Sequence, residues 1–200
     1  EKQKKKCENM IIKSHFNIPI LTDVHETTDC KLVKEIVDVI QIPAFLCRQT
    51  ELLIAAAETG KTINIKKGQF VSAEMMQFAA EKIEANGNKN IWLTERGTMF
   101  GYNDLIVDFR NIQRMKSFGF PVIFDATHSV QQPNQATGTS GGKPEFIETL
   151  SKCAIAAGAD GIFMETHPNP EQALSDGANM LSLSEVKGLM EKLIRMKSAL

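Results

Sequence analysis

Six short apolar runs end in a charged or hydrogen-bonding residue, and long gaps separate them. They are Pro19-Ile-Leu-Thr-Asp-Val-His25, Val37-Asp-Val-Ile-Gln41, Thr62-Ile-Asn-Ile-Lys-Lys67, Asn90-Ile-Trp-Leu-Thr-Glu-Arg96, Pro121-Val-Ile-Phe-Asp-Ala-Thr-His128 and Gly161-Ile-Phe-Met-Glu-Thr-His167. Near-continuous Val, Ile and Leu runs mark strands buried on both faces, and parallel strands need crossovers of a dozen or more residues. Strand therefore alternates with helix, and the carboxyl ends of the strands point to one face where reactive groups converge. Ending strand after strand in Asp, Lys, Arg, Glu or His builds an active site. The pattern reads as an enzyme or a piece of one.

Two architectures share this alternation. A doubly wound nucleotide-binding sheet carries a Gly-rich turn after its first strand, and no such turn is present. A (β/α)8 TIM barrel has eight strands in about 250 residues. Six units in 200 residues fit an α/β barrel whose first two β/α units precede this sequence. Residues 1–200 read as one barrel domain, with no linker or low-complexity tract. The sequence starts without Met, as expected of a chain that begins inside a longer one.

Between the strands, residues up to Lys13 read as the end of a helix with Met10, Ile11 and Ile12 turned inward. Thr27-Thr28-Asp29 and Thr50 read as helix caps. Helices are expected over Ser72 to Ile83, Asp104 to Ser117, Phe146 to Ala157 and Ser184 to Ala199. Ser129 to Pro144 is a long non-periodic stretch, and a loop of that length reads as a lid or a subunit contact.

Composition excludes several classes. A formal net charge of -1 gives no reason to expect nucleic acid or an anionic membrane as partner. No apolar stretch approaches the roughly 18 residues that span a bilayer, and no signal-like segment follows the charged start, so a cytoplasmic protein is expected. Cys7, Cys30, Cys47 and Cys153 show no C-x-x-C spacing, so neither a disulfide framework nor a structural zinc site is indicated.

At the strand ends, Lys66 and Arg96 supply two cations suited to a phosphate or carboxylate. Neighbouring side chains on a pleated strand face opposite ways, so one of Lys66 and Lys67 is expected to enter the site. His128, Glu165 and Asp176 offer one imidazole and two carboxylates. They suit a divalent ion such as Mn²⁺, Fe²⁺ or Zn²⁺, or metal-free acid–base chemistry. Asp23 suits a sugar hydroxyl or a cation. His25 and His167 stand just past strand ends, and His15 has no assigned role.

Several motifs occur in order: Thr22-Asp-Val-His-Glu26, Gln41-Ile-Pro-Ala-Phe-Leu-Cys-Arg-Gln-Thr50, Asn64-Ile-Lys-Lys-Gly-Gln-Phe70, Glu95-Arg-Gly-Thr-Met-Phe-Gly-Tyr102, Phe124-Asp-Ala-Thr-His128, Ser140-Gly-Gly142, Glu165-Thr-His-Pro-Asn-Pro170 and Ser175-Asp-Gly177. From about Ile18 to Leu183 the chain resembles the 3-deoxy-D-manno-octulosonate 8-phosphate synthase family. The resemblance implies a TIM barrel, usually a homotetramer. The implied reaction condenses phosphoenolpyruvate with D-arabinose 5-phosphate and water for the lipopolysaccharide inner core.

It also implies that Lys66, Gln69, Arg96 and His128 bind phosphoenolpyruvate, and that Asp23 lies near the sugar. Arg48 would reach a neighbouring subunit's site. His128, Glu165 and Asp176 would ligate a metal, with no organic cofactor. His128, Asp23 and Lys66 are the implied catalytic groups. The family's Lys-Ala-x-x-Arg-Ser-like sugar-phosphate segment, and its Cys-or-Asn position that separates metal-dependent from metal-independent members, fall outside this sequence. Ser175 before Asp176 resembles the metal-dependent class. The alternatives are the sister synthase that uses erythrose 4-phosphate, and a non-catalytic structural remnant.

Overall fold

Burial on both faces makes the central strands. The computed structural model describes residues 10–100, 104–133 and 141–200, and they divide into two compact units. The first holds residues up to Gly68 together with Glu74–Leu93. A helix over residues 10–16 (α1) leads into β1 (Leu21–Asp23), α2 (Thr27–Val33), β2 (Val39–Ile42), α3 (Thr50–Ala57), β3 (Thr62–Lys66), α4 (Ala73–Glu84) and the start of β4 (Ile91–Glu95).

The strand order in this unit is β1-β2-β3-β4. β1–β2 and β2–β3 are parallel, with Asp23 opposite Gln41 and Gln41 opposite Asn64. Every residue of β2 is buried, which explains why its sequence does not alternate. α4 buries Met76, Ala79, Ala80 and Ile83, the i, i+3, i+4, i+7 stripe of an amphipathic helix.

Three local expectations change here. Met10, Ile11 and Ile12 are exposed rather than turned inward. The residue of α1 tied to the body is Lys13, whose Nζ donates to Ile36 O at 3.0 Å and pairs with Asp38 at 2.7 Å. α2 starts one residue earlier than expected. Glu26 is its cap, and Asp29 Oδ2 accepts from the His25 and Glu26 N–H groups at 3.2 Å. Gln49 caps α3, so the Thr50 hydroxyl is free to accept from Lys82 Nζ at 2.7 Å.

The second unit holds Gln69–Ala73 and Thr94–Leu200. After β4 come β5 (Thr98–Met99), β6 (Leu105–Ile106), α5 (Arg110–Lys116), β7 (Val122–Asp125), β8 (Gln131–Gln132), β9 (Gly141–Gly142), α6 (Ile147–Ala156), β10 (Gly161–Phe163), β11 (Thr166–His167), β12 (Leu181–Ser182) and α7 (Leu183–Ser198). The main strand order is β4-β7-β10, and β10 pairs with β7 in parallel, Phe163 opposite Asp125.

The helix expected from Asp104 begins only at Arg110. Leu105 and Ile106 instead pair antiparallel with Met99 and Thr98, while Asp104 accepts from Gln132 Nε2 at 2.7 Å and pairs with Lys143 at 2.9 Å. The stretch after Ser129 contains a short antiparallel pair, Gln131 opposite Gly142 and Gln132 opposite Gly141. Of the stretch Ser129 to Pro144 read as a lid or subunit contact, residues 134–140 lie outside the described residues. No helix among the described residues is long and apolar enough to cross a membrane.

Candidate active site

In the first unit the strand ends carry polar side chains in register. Asn64 Nδ2 donates to Gln41 Oε1 at 3.1 Å, both buried. Asp23 Oδ2 lies 3.5 Å from His25 Nε2, and Arg48 is exposed. Lys66 and Lys67 are both buried, at 6% and 0% exposure, so burial does not choose between them as strand alternation suggested. Lys67 Nζ donates to the Gly68 carbonyl at 3.4 Å.

Cys30 and Cys47 are buried, and Cys153 is exposed. Burial pushes the Cys47 thiol up, against an opposing hydrogen bond with the Gly68 backbone and the charges of Lys67 and Arg48. Burial also raises Cys30 to about 11. Neither is a thiolate at neutral pH.

The second unit gathers the expected metal-binding residues. One ligand atom from each of His128, Glu165 and Asp176 lies within 4.8 Å of the others, and all three side chains are partly buried. His128 stands just beyond β7, Glu165 just beyond β10, and Asp176 at the start of a 3-10 turn over Gly177–Asn179. Asp176 has φ 52° and ψ 16°, a left-handed conformation that Asp tolerates better than most residues.

The turn is held from outside. A Cβ on Gly142 would stand 2.5 Å from the Ala178 carbonyl oxygen, so only glycine lets β9 approach that closely. Asn179, fully buried, donates from Nδ2 to the Thr127 carbonyl at 3.3 Å.

His128 is oriented by a residue the sequence reading did not single out. Asp125, fully buried, lies with Oδ2 2.9 Å from His128 Nδ1, an ion-pair distance. Its Oδ1 accepts from the His128 backbone N–H at 2.9 Å and from Thr127 Oγ1 at 3.3 Å. Nε2 faces Glu165 Oε1 at 3.6 Å. A carboxylate behind a ligating histidine commonly fixes tautomer and ring orientation this way. The sequence signal was the three-residue spacing of Asp125 and His128 at a strand end.

Arg96 is only 4% exposed. Burial lowers the pKa of its guanidinium, opposed by the charges of Asp125, Glu95 and Asp176. Its Nη2 donates to Gln131 Oε1 at 2.9 Å, whereas Nη1 is buried with no hydrogen-bond partner among the described residues.

Glu95, also fully buried, builds the turn that carries Arg96. Its Oε1 accepts from the Arg96 and Gly97 N–H groups at 3.0 and 2.7 Å, and its Oε2 accepts from Asn111 Nδ2 at 3.0 Å. Gln69, 3% exposed, has a buried Oε1 with no hydrogen-bond partner among the described residues, and its carbonyl accepts from Met99 N at 2.9 Å. Among the described second-unit residues, an orphaned cationic donor thus stands one glutamine away from a three-residue set of metal-ligand type. Gln131, which makes that link, was also missed in the sequence.

Parallel strands whose ends bring a buried guanidinium together with an imidazole and two carboxylates mark the chain as an α/β enzyme. The chain belongs to the DAHP synthetase I family, whose model matches residues 5–200. It is 53% identical over 189 residues to a 2-dehydro-3-deoxyphosphooctonate aldolase of Cyanothece sp., covering 94% of this chain and 69% of that protein. Proteins of the same name from Koribacter versatilis and Desulfotalea psychrophila are 53% and 52% identical, each over 94% of this chain and over 68% and 67% of their own lengths.

Proposed function

We propose that the protein is a 3-deoxy-D-manno-octulosonate 8-phosphate synthase, the activity also called 2-dehydro-3-deoxyphosphooctonate aldolase. It joins phosphoenolpyruvate to D-arabinose 5-phosphate with addition of water and release of phosphate, a step toward the lipopolysaccharide inner-core sugar. The observation that supports this reading is the buried Nη1 of Arg96, which has no hydrogen-bond partner among the described residues, a cationic donor in want of an anion. The names of the relatives favour the five-carbon aldehyde over erythrose 4-phosphate.

Phosphoenolpyruvate is a small trianion, and Lys66 and Arg96 are its proposed charge partners, with Gln69 lining the pocket. Its C3 attacks the aldehyde carbon, leaving positive charge at C2. Water adds to C2 and loses a proton as the former aldehyde oxygen gains one, and the C2–O bond of the phosphate ester then breaks, phosphate departing with the bonding pair while the C2 hydroxyl gives up its proton to leave a ketone. The protein's work in these steps is chiefly positioning and electrostatic stabilisation.

The donor set of His128, Glu165 and Asp176 fits a Mn²⁺, Fe²⁺ or Zn²⁺ ion, and Asp125 leaves Nε2 of His128 as the ligating atom. A bound ion would supply Lewis acidity toward a substrate oxygen. His128 has one nitrogen to give once Asp125 holds the other. That atom either ligates or moves a proton, so we assign it to the metal and the acid–base role to Asp23.

The full protein is proposed to be a cytoplasmic eight-unit barrel in one domain, assembled as a homotetramer, with Arg48 serving a neighbouring site. Its exposure is compatible with that role. The test is phosphate release by the intact protein with either aldehyde, before and after exhaustive chelation. Release should require arabinose 5-phosphate, vanish on chelation and return with Mn²⁺ or Zn²⁺. Faster turnover of erythrose 4-phosphate would overturn the substrate. Full activity in protein shown by elemental analysis to be metal-free would overturn the metal.

A further inference from the structure

Gln131 joins two groups of opposite function. Its Oε1 accepts from Arg96 Nη2, and its Nε2 donates to Asp176 Oδ1, each at 2.9 Å. The amide orientation follows from the partners. A guanidinium only donates and a carboxylate only accepts, so turning the amide over would lose both bonds. The residue is held from the other side by its pairing with Gly142, the glycine that packs against the turn beginning at Asp176.

We propose that Gln131 is a positioning residue that couples the anion end of the site to the metal end. This inference rests on the metal reading given above. Arg side chains carry much rotamer freedom, and fixing one costs free energy. An ion that fixes Asp176 also fixes the Gln131 amide and thereby Nη2 of Arg96, so Nη1 is held in place before the anion arrives. An anion that fixes Arg96 returns the same advantage to the metal, since coupling between two binding equilibria is reciprocal. Direct attraction between a cation and an anion adds to the coupling but does not pass through Gln131.

The experiment measures Mn²⁺ affinity of the intact protein from the spin-resonance signal of free Mn²⁺, with and without saturating inorganic phosphate. The ratio of the two dissociation constants is the coupling factor. Gln131→Met keeps the side chain's length and removes both hydrogen bonds. Gln131→Glu keeps an acceptor for Arg96 but has no donor for Asp176. The coupling factor of the native protein should exceed 1 and fall about fivefold or more in both variants, the lower end of ordinary allosteric coupling. A thermal melt checks that each variant is folded.

A coupling factor unchanged within twofold in folded Gln131→Met overturns the proposal. So does a native factor no greater than 1, or a loss in Gln131→Met with full retention in Gln131→Glu. If the native protein binds no Mn²⁺ at all, the metal reading falls and takes the coupling with it. Native Mn²⁺ binding with unchanged coupling in the variants removes this inference alone.

Discussion

Asp125→Asn is the sharpest test of how His128 is set. The change is isosteric and leaves the fully buried site filled, so its effect must come through hydrogen bonding. Asp125 Oδ1 receives the His128 backbone N–H at 2.9 Å, while Oδ2 faces Nδ1 at 2.9 Å. Asparagine has one carbonyl for two positions that both need an acceptor.

If the carbonyl keeps the backbone bond, the amide NH2 faces Nδ1, which must become the acceptor. The proton then moves to Nε2, the atom 3.6 Å from Glu165, and its lone pair is lost to any metal. If the amide turns over, two donors collide at the His128 backbone, costing about 1–3 kcal/mol of stability. Loss of an outer-shell carboxylate typically weakens metal binding about 10- to 100-fold, equal to about 1.4–2.8 kcal/mol. A Mn²⁺ titration of native and variant protein reads this directly, and ¹⁵N chemical shifts of the imidazole report the tautomer. Mn²⁺ affinity within twofold of native, with Nε2 still unprotonated, would refute the orientation argument.

Three other outcomes are expected. Arg96→Ala should cost about 1.5–3 kcal/mol in kcat/KM for phosphoenolpyruvate, the value of a charge-assisted hydrogen bond, and unchanged kinetics would remove Arg96 from the site. Gly142→Ala forces a methyl against the Ala178 carbonyl at 2.5 Å, so overpacking should cost about 1–3 kcal/mol in denaturant unfolding, with Mn²⁺ affinity falling as the Asp176 turn shifts. Glu148 is lowered to about 2 by hydrogen bonds from Lys152 and Lys192. A depressed carboxylate stabilises the fold above its ordinary pKa of 4.5 and loses that contribution as pH falls toward about 2. Melts between pH 5 and 2 should therefore flatten in Glu148→Gln and in high salt, and an identical pH dependence would discount the pair.

The strands were legible because burial on both faces concentrates Val and Ile, as in Val39-Ile-Gln-Ile42 of β2. The α4 stripe was legible for the corresponding helical reason. Residues 104–109 were misread because Leu105 and Ile106 look the same at the start of an amphipathic helix as in a two-residue strand. What decided them was pairing with Thr98 and Met99, which no local window contains. Met10, Ile11 and Ile12 were misread because apolar character was taken to imply burial, and the converse rule alone is dependable.

At the site, residue types at strand ends pointed to Arg96, His128 and Glu165. Gln131 left no such mark. Its partners lie 35 and 45 residues away along the chain, and a glutamine beside another glutamine resembles any loop. Asp125 stood inside a quoted motif, but its work on His128 needs the turn that follows β7 to exist first.

The carboxylates of the second unit fall into two kinds, and the difference orders the binding events. Glu95, Asp125 and Asp176 all act on the charge of Arg96, and Glu165 joins Asp176 in the metal-type set. Carboxylates thus outnumber the guanidinium they act on, in a site where Arg96, Glu95 and Asp125 are buried. Glu95 and Asp125 are fully buried and spread their charge over N–H and O–H donors, which is how buried carboxylates persist. Glu165 and Asp176 are only partly buried and stand beside the lone pair of His128. A divalent cation there offsets carboxylate charge, and an anion reaching Nη1 of Arg96 first would meet more of its repulsion. Metal before phosphoenolpyruvate is therefore the expected order, and phosphate should bind more weakly to chelated protein than to protein loaded with Mn²⁺. Equal phosphate affinity in the two states would show that the surplus carboxylate charge is neutralised by some other means.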